Sequence, residues 1–357
     1  MADKYADQSL VGHLPGPIVK FTIGADPGRD YAECSDFTAA FNNTLIPEPQ
    51  TSVIVEFHND SGTDQAAFTT PFTISSMPSN VGAFLVTVAD DDWHKGDPTK
   101  GCALKLAATS SSSLMSIAGT CPKKVERLVF NSNGLFSAAG LGIIDQPTGV
   151  DTSRPSMQWY DQCIVTGGDT PNPGRYIRGI DSSTRPMQVT NCLVYNIVCN
   201  GAASSSASYG IGGDDKMNIV NCTIDNVDFQ NHSGTGNYGI DMPAAGFAVR
   251  DNIITNVDIA LDITATSINN ITDDATGTAT STSADEFVDA ANNDYTRKST
   301  AVAAGTMAVG RRGTDVTGAL RDESTAGDAG AFNNVAGYEQ EAGGGSTTQP
   351  KHPLARF

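Results

Sequence analysis

The sequence predicts an all-β protein, a parallel β-helix: a solenoid of short strands with one coil per turn. Three observations carry that prediction. The first is a repeat at a fixed interval of 30 residues, in which MQVTNCLVYNIV (187–198) returns as MNIVNCTIDNVD (217–228) and as FAVRDNIITNVD (247–258). The second is composition: of 357 residues only 17% are charged and 7% aromatic, good helix formers are scarce, and Gly, Ser, Thr, Asn and Asp abound. That balance suits short strands joined by polar turns. The third is period-two apolar alternation in runs of three to five residues, the mark of half-buried strands.

The repeat fixes what each coil needs. Its columns are Met187/Met217/Phe247, Val189/Ile219/Val249, Asn191/Asn221/Asp251, Cys192/Cys222/Asn252, Val194/Ile224/Ile254, Asn196/Asn226/Asn256 and Ile197/Val227/Val257. An Asn between two apolar runs means a tight turn, because Asn tolerates left-handed backbone. One such unit cannot bury its own apolar face, so units must stack, like on like. Stacking predicts a ladder of side-chain amides along Asn196, Asn226 and Asn256. It also predicts an internal column at Cys192 and Cys222, filled by small soft side chains rather than by a metal, since no histidine joins it. MQWYDQCIVTGG (157–168) fits the series with a slip of one residue, and RGI (178–180), YGI (209–211) and YGI (238–240) form a second echo.

Taken along the chain, 1–29 reads as an N-terminal arm and 30–336 as the solenoid domain, with a capping helix in 30–50. Within DYAECSDFTAAFNNTL (30–45), Phe37, Ala40, Phe41 and Leu45 fall at helical spacing and Ser35 is placed as an N-cap. TSVIVEFHND (51–60) reads as the opening strand. Early coils to 130 carry VIVEF, FTISS, AFLVTVA, CALKLAA, LMSIA and VERLVF, and 131–156 is a loop-bearing coil. Regular coils fill 157–262, and the Thr/Ser-rich 263–284 is expected to be irregular. A closing segment occupies 285–332. The stretch 337–357 is a flexible tail that either docks on a neighbouring subunit or stays disordered. About nine or ten coils, each rising about 4.8 Å, make a rigid rod.

These residues resemble a known group, the right-handed parallel β-helix proteins of the pectin-lyase-like superfold. The wording of 191–197, 221–227 and 251–257 is similar to their coil repeats, and 30–45 looks like the short helix that plugs the N-terminal end. The closing segment resembles that of bacterial and phage members, here Asp315, Gly318 and Arg321 followed by Asp328, Gly330, Ala331 and Phe332. The resemblance implies a right-handed solenoid and is nearly silent on function, because the superfold hosts many roles.

Composition narrows function. A net charge of −18 argues against nucleic-acid binding through phosphates. No apolar run is long enough to span a membrane, and the polar start MADKYADQSL predicts no secretory signal. The seven cysteines are odd in number and lack a CxxC, so free buried thiols are expected. No cofactor motif is present: GIGGDD has no Lys-Ser/Thr after it.

Two clusters invite chemistry. ADDDWHKGD (89–97) offers Asp90, Asp91, Asp92, Trp93, His94 and Asp97, which read either as a glycan or cation site or as a solvated loop. GGDDK (212–216) supplies Asp214 and Asp215 about one coil after Arg175, Arg178, Asp181 and Arg185. An arginine among carboxylates suits proton abstraction from a uronate, and surface ion pairing is the alternative. The Gly-His-Gly and Arg-x-Lys of galacturonan hydrolases are absent.

The expectation is therefore a non-enzymatic bacteriophage virion protein on the particle exterior, a capsid decoration or a fibre or spike. It would be a homotrimer that contacts other virion proteins through its arms and binds host-surface glycans. The alternatives are a tailspike-like polysaccharide lyase or hydrolase, or an extracellular or cell-surface adhesin.

Overall fold

The computed structural model describes residues 16–42, 50–119, 121–137, 141–146, 158–170, 177–182, 187–199, 208–213, 217–229, 236–242, 248–264, 266–298 and 315–317. Its architecture is a parallel β-helix. Three parallel sheets of nine, seven and nine strands run the length of the stack, and successive strands in each come from successive coils. Nine coils at about 4.8 Å each give a body about 40 Å long. In the first sheet Met187 pairs with Met217 and Val189 with Ile219. In the third, Val194 pairs with Ile224 and Ile197 with Val227. The coil before them is one residue short, since Gln158 pairs with Met187, which is the slip seen in the sequence.

From the coil of Arg127 onward, the corner between the first and third sheets is one left-handed residue per coil: Arg127, Gln162, Asn191, Asn221, Asp251 and Asn269 all have φ between 53° and 65°. A second left-handed column, Asn196, Asn226 and Asn256, bends the third sheet (φ 52°, 55° and 54°). The glycine of the RGI/YGI/YGI echo is required by packing. A Cβ on Gly210 would stand 2.6 Å from Ile224 Cγ2 and 2.9 Å from the Gly239 carbonyl oxygen.

The interior is apolar and continuous from Ile23 to Leu261. At its N-terminal end the helix Cys34–Asn42 buries Phe37 and Phe41 against the first coils. Phe37 stacks on Phe72 at 5.6 Å, and Phe41 meets Phe84 at 5.5 Å. All seven cysteines are buried and free. Among the described residues no helix is long and apolar enough to cross a membrane.

Several expectations need correction. The opening strand is Ile18–Ile23, which pairs in parallel with Thr51–Phe57, so the second half of the expected arm belongs to the stack. Its alternation was hidden by flanking Gly and Pro. The cap helix begins at Cys34, so Ser35 lies in its first turn, where its N–H donates to Thr70 Oγ1. VERLVF is two strands, Lys123–Glu126 and Val129–Asn131, split at the left-handed Arg127. The Thr/Ser-rich stretch continues the stack through Thr266–Ile268, Ile271–Thr272 and Ala279–Thr280. Thr suits a strand's exposed face as well as a loop. Residues 1–15 and 318–357, with Gly318, Arg321 and the 328–332 phrase, lie outside the described residues.

The amide ladder forms on one rung of the expected two. Asn226 Nδ2 donates to Asn196 Oδ1 at 2.7 Å, but Asn256 Nδ2 turns to Asp225 Oδ1, also at 2.7 Å. A carboxylate is the stronger acceptor, so it wins over a neutral amide oxygen. The buried ladder is elsewhere, at the end of the cysteine column. Asn252 Nδ2 donates to Asn270 Oδ1 (2.9 Å) and to the Ile219 carbonyl (3.1 Å), and Asn252 Oδ1 accepts from Cys222 N–H (2.8 Å).

Candidate functional site

The strands at Lys123–Glu126, Gln158–Asp161 and Met187–Thr190 stack in register and turn one row of side chains outward. That flank carries an ion-pair network. Lys124 Nζ lies 2.6 Å from Glu126 Oε2 and 3.2 Å from Asp161 Oδ2, with each side chain 12–16% exposed. Thr87 Oγ1 donates to Glu126 Oε1 at 2.9 Å. Asp161 Oδ1 accepts from Thr190 Oγ1 (2.7 Å) and Asn191 Nδ2 (2.9 Å). Trp159 closes the arrangement: its indole N–H donates to Thr190 Oγ1 at 2.7 Å, and Lys124 Nζ sits 4.3 Å above its ring.

Electrostatics fix the charges here. Burial raises the cost of charging Glu126, yet the Lys124 and Arg127 charges hold its carboxyl below the usual range. Burial likewise opposes the Lys124 ammonium, and Glu126 and Asp161 outweigh it, so its titration moves up. Both groups are pushed away from neutrality, opposite to what a general acid or base at neutral pH needs.

Beside this flank, the 89–97 loop folds over the corner. Trp93 is half-buried with the Arg127 guanidinium 4.9 Å from its ring, and Arg127 Nη1 pairs with Asp90 Oδ1 at 2.7 Å. Asp91 is exposed, and Asp92 Oδ2 lies 3.5 Å from His58 Nδ1. His94 is fully buried and structural. Its Nδ1 accepts from Gly96 N–H at 2.9 Å, so Nε2 carries the proton and donates to the Gln162 carbonyl at 2.8 Å. Burial pushes its titration down to about 4. With both ring nitrogens engaged it cannot join Asp91, Asp92 and Trp93 in holding a ligand.

Of the second cluster, Asp214, Asp215, Arg175 and Arg185 lie outside the described residues. Arg178 Nη1 pairs with the buried Asp181 at 2.7 Å, Tyr209 O–H donates to the other Asp181 oxygen, and the Arg178 guanidinium covers the Tyr209 ring at 4.8 Å. Burial and Asp181 together push the Tyr209 hydroxyl up. This is a structural ion pair. Among the described residues no group of three or more His, Cys, Asp or Glu side chains is placed to hold a metal ion.

Sequence reasoning missed the flank at Lys124, Glu126, Trp159 and Asp161. Lys123 pairs with Gln158, 35 residues on, whereas Gln158 pairs with Met187 after 29, so the columns do not fall at one interval. The available signal was the coil's shared alternation, with Lys124, Trp159 and Gln188 each following an inward residue. No protein-family model matches the chain, and no curated protein matches it significantly.

Proposed function

We propose that this protein is a non-enzymatic structural component of a bacteriophage virion, a capsid-decoration or fibre/spike protein, with host-surface glycans engaged along the flank of its first sheet. One observation carries the reading. Four buried or nearly buried titratable side chains at the described candidate sites are committed to holding the fold: His94 is buried and neutral, Asp181 is taken up by Arg178 and Tyr209, and Lys124 and Glu126 are held in their charged forms. A stiff stack with such flanks suits a spacer that displays a surface. Both tryptophans of the chain lie on or beside one flank, among hydroxyl, amide and carboxylate groups that suit sugar hydroxyls. A homotrimer docked through its terminal segments is the assembly proposed with it.

Cryo-EM of the native particles that contain this chain tests the proposal. Regular occupancy of capsid or tail positions, with no release of reducing ends from acidic polysaccharides, is the expected result. Reducing ends released by the purified protein, and lost in Asp214→Asn or Asp215→Asn, would replace the proposal with the lyase or hydrolase reading.

A further inference from the structure

The outside of the third sheet carries an apolar stripe. Ala103, Val129, Ile164, Leu193, Ile253 and Ile271 form one column across successive coils, completed by the buried Thr223. These side chains point away from the interior, where their neighbours Leu128, Cys163, Cys192 and Cys222 lie. Left open to water, the stripe would be a long sticky face. It is closed by the chain's own later residues: Phe287, Tyr295 and Val316 pack into the same cluster.

The covering segment is held at points far apart in sequence. Tyr295 O–H donates to Asp225 Oδ2 at 2.9 Å across 70 residues, and its ring meets Tyr195 at 5.3 Å and Phe287 at 5.2 Å. Asp225, buried, also accepts from Thr255 Oγ1 at 2.8 Å and from Asn256 Nδ2 at 2.7 Å. Asn196 Nδ2 reaches Asn293 Oδ1 at 3.4 Å, and Gln162 Nε2 donates to the Asp315 carbonyl at 2.7 Å across 153 residues. The segment is braced internally by the antiparallel pair Phe287–Asp289 and Asp294–Arg297. It is braced again by Arg297 Nη2 on Glu286 Oε2 at 2.7 Å, a pair almost wholly shielded from solvent.

From this geometry we infer that residues 283–298 and 315–317 form a lateral latch that couples the later coils into one cooperative unit. A bare solenoid has nearest-neighbour contacts only, so its terminal coils can fray one at a time. The latch crosses that limit. It ties the successive coils of Asp225 and Thr255 to those of Asn196 and Gln162, and releasing any one coil strips apolar cover from the rest. The inference is independent of the proposed virion role.

Hydrogen exchange resolved along the chain tests it in Phe287→Ala and in Tyr295→Phe, which keeps the ring and removes only the bond to Asp225. For Phe287→Ala, amides of Thr223–Phe229, Ile253–Thr255 and Ile271–Thr272 should exchange about tenfold faster or more, with Thr51–Phe57 and Val81–Val88 unchanged. Tyr295→Phe should give the same pattern at about threefold, and it decides the matter if Phe287→Ala does not fold. Unchanged exchange, or equal acceleration along the whole stack, would overturn the latch.

Discussion

His94 makes the protein acid-sensitive in a window set by its burial. Its imidazole is fully enclosed, accepts from Gly96 N–H and donates to the Gln162 carbonyl. Burial disfavours the charged imidazolium, with the nearby Arg127 charge adding to it, and titration falls from the ordinary 6.5 to about 4. In the unfolded chain the same group charges below pH 6.5. Between pH 6.5 and 4 the unfolded state therefore binds more protons, and stability falls as pH is lowered through that window. Above pH 6.5 the contribution is constant. At about 1.4 kcal/mol per tenfold change in protonation equilibrium, the full window is worth about 3 kcal/mol, most of it lost by pH 4.5. Urea unfolding at pH 7.5 and 4.5, for the natural chain and for His94→Gln, isolates the effect, because every other titrating group is common to both. The natural chain should lose about 2–3 kcal/mol more than the variant. Equal losses within about 0.5 kcal/mol would refute the reasoning.

Three substitutions probe the stack. Asn252→Leu strands the Cys222 N–H in the interior and removes the side-chain bond to the Ile219 carbonyl, and should cost about 1–3 kcal/mol by urea unfolding. Asn226→Leu breaks the surviving outer rung and puts Leu in left-handed backbone. It should cost about 1–3 kcal/mol, and an unchanged melting temperature would count against the rung. Gly210→Ala drives a methyl into Ile224 Cγ2 and the Gly239 carbonyl oxygen and should cost about 1–3 kcal/mol, read as a lowered melting temperature.

The sequence by itself determined the coil. Apolar alternation and left-handed Asn are local demands, written once per turn, so Asn191, Asn221, Asn196 and Asn226 announce their corners wherever the interval stays at 30 residues. Phe37 and Phe41 likewise reveal the capping helix through their spacing. Tertiary structure alone decided which polar atom meets which. Asn256 chooses Asp225 over its own column because a carboxylate one coil back outcompetes an amide. Lys124 finds Asp161 only because coils of unequal length set Asp161 level with Glu126, beside the lysine. His94 looked like a ligand beside three aspartates, and only its position under the corner shows a buried neutral imidazole bonded to Gln162. The latch lay furthest from sequence reasoning, since Tyr295 and Asp225 belong to no shared period. Their contact depends on where the chain turns back along the stack, and that is set by the apolar area a whole column leaves uncovered.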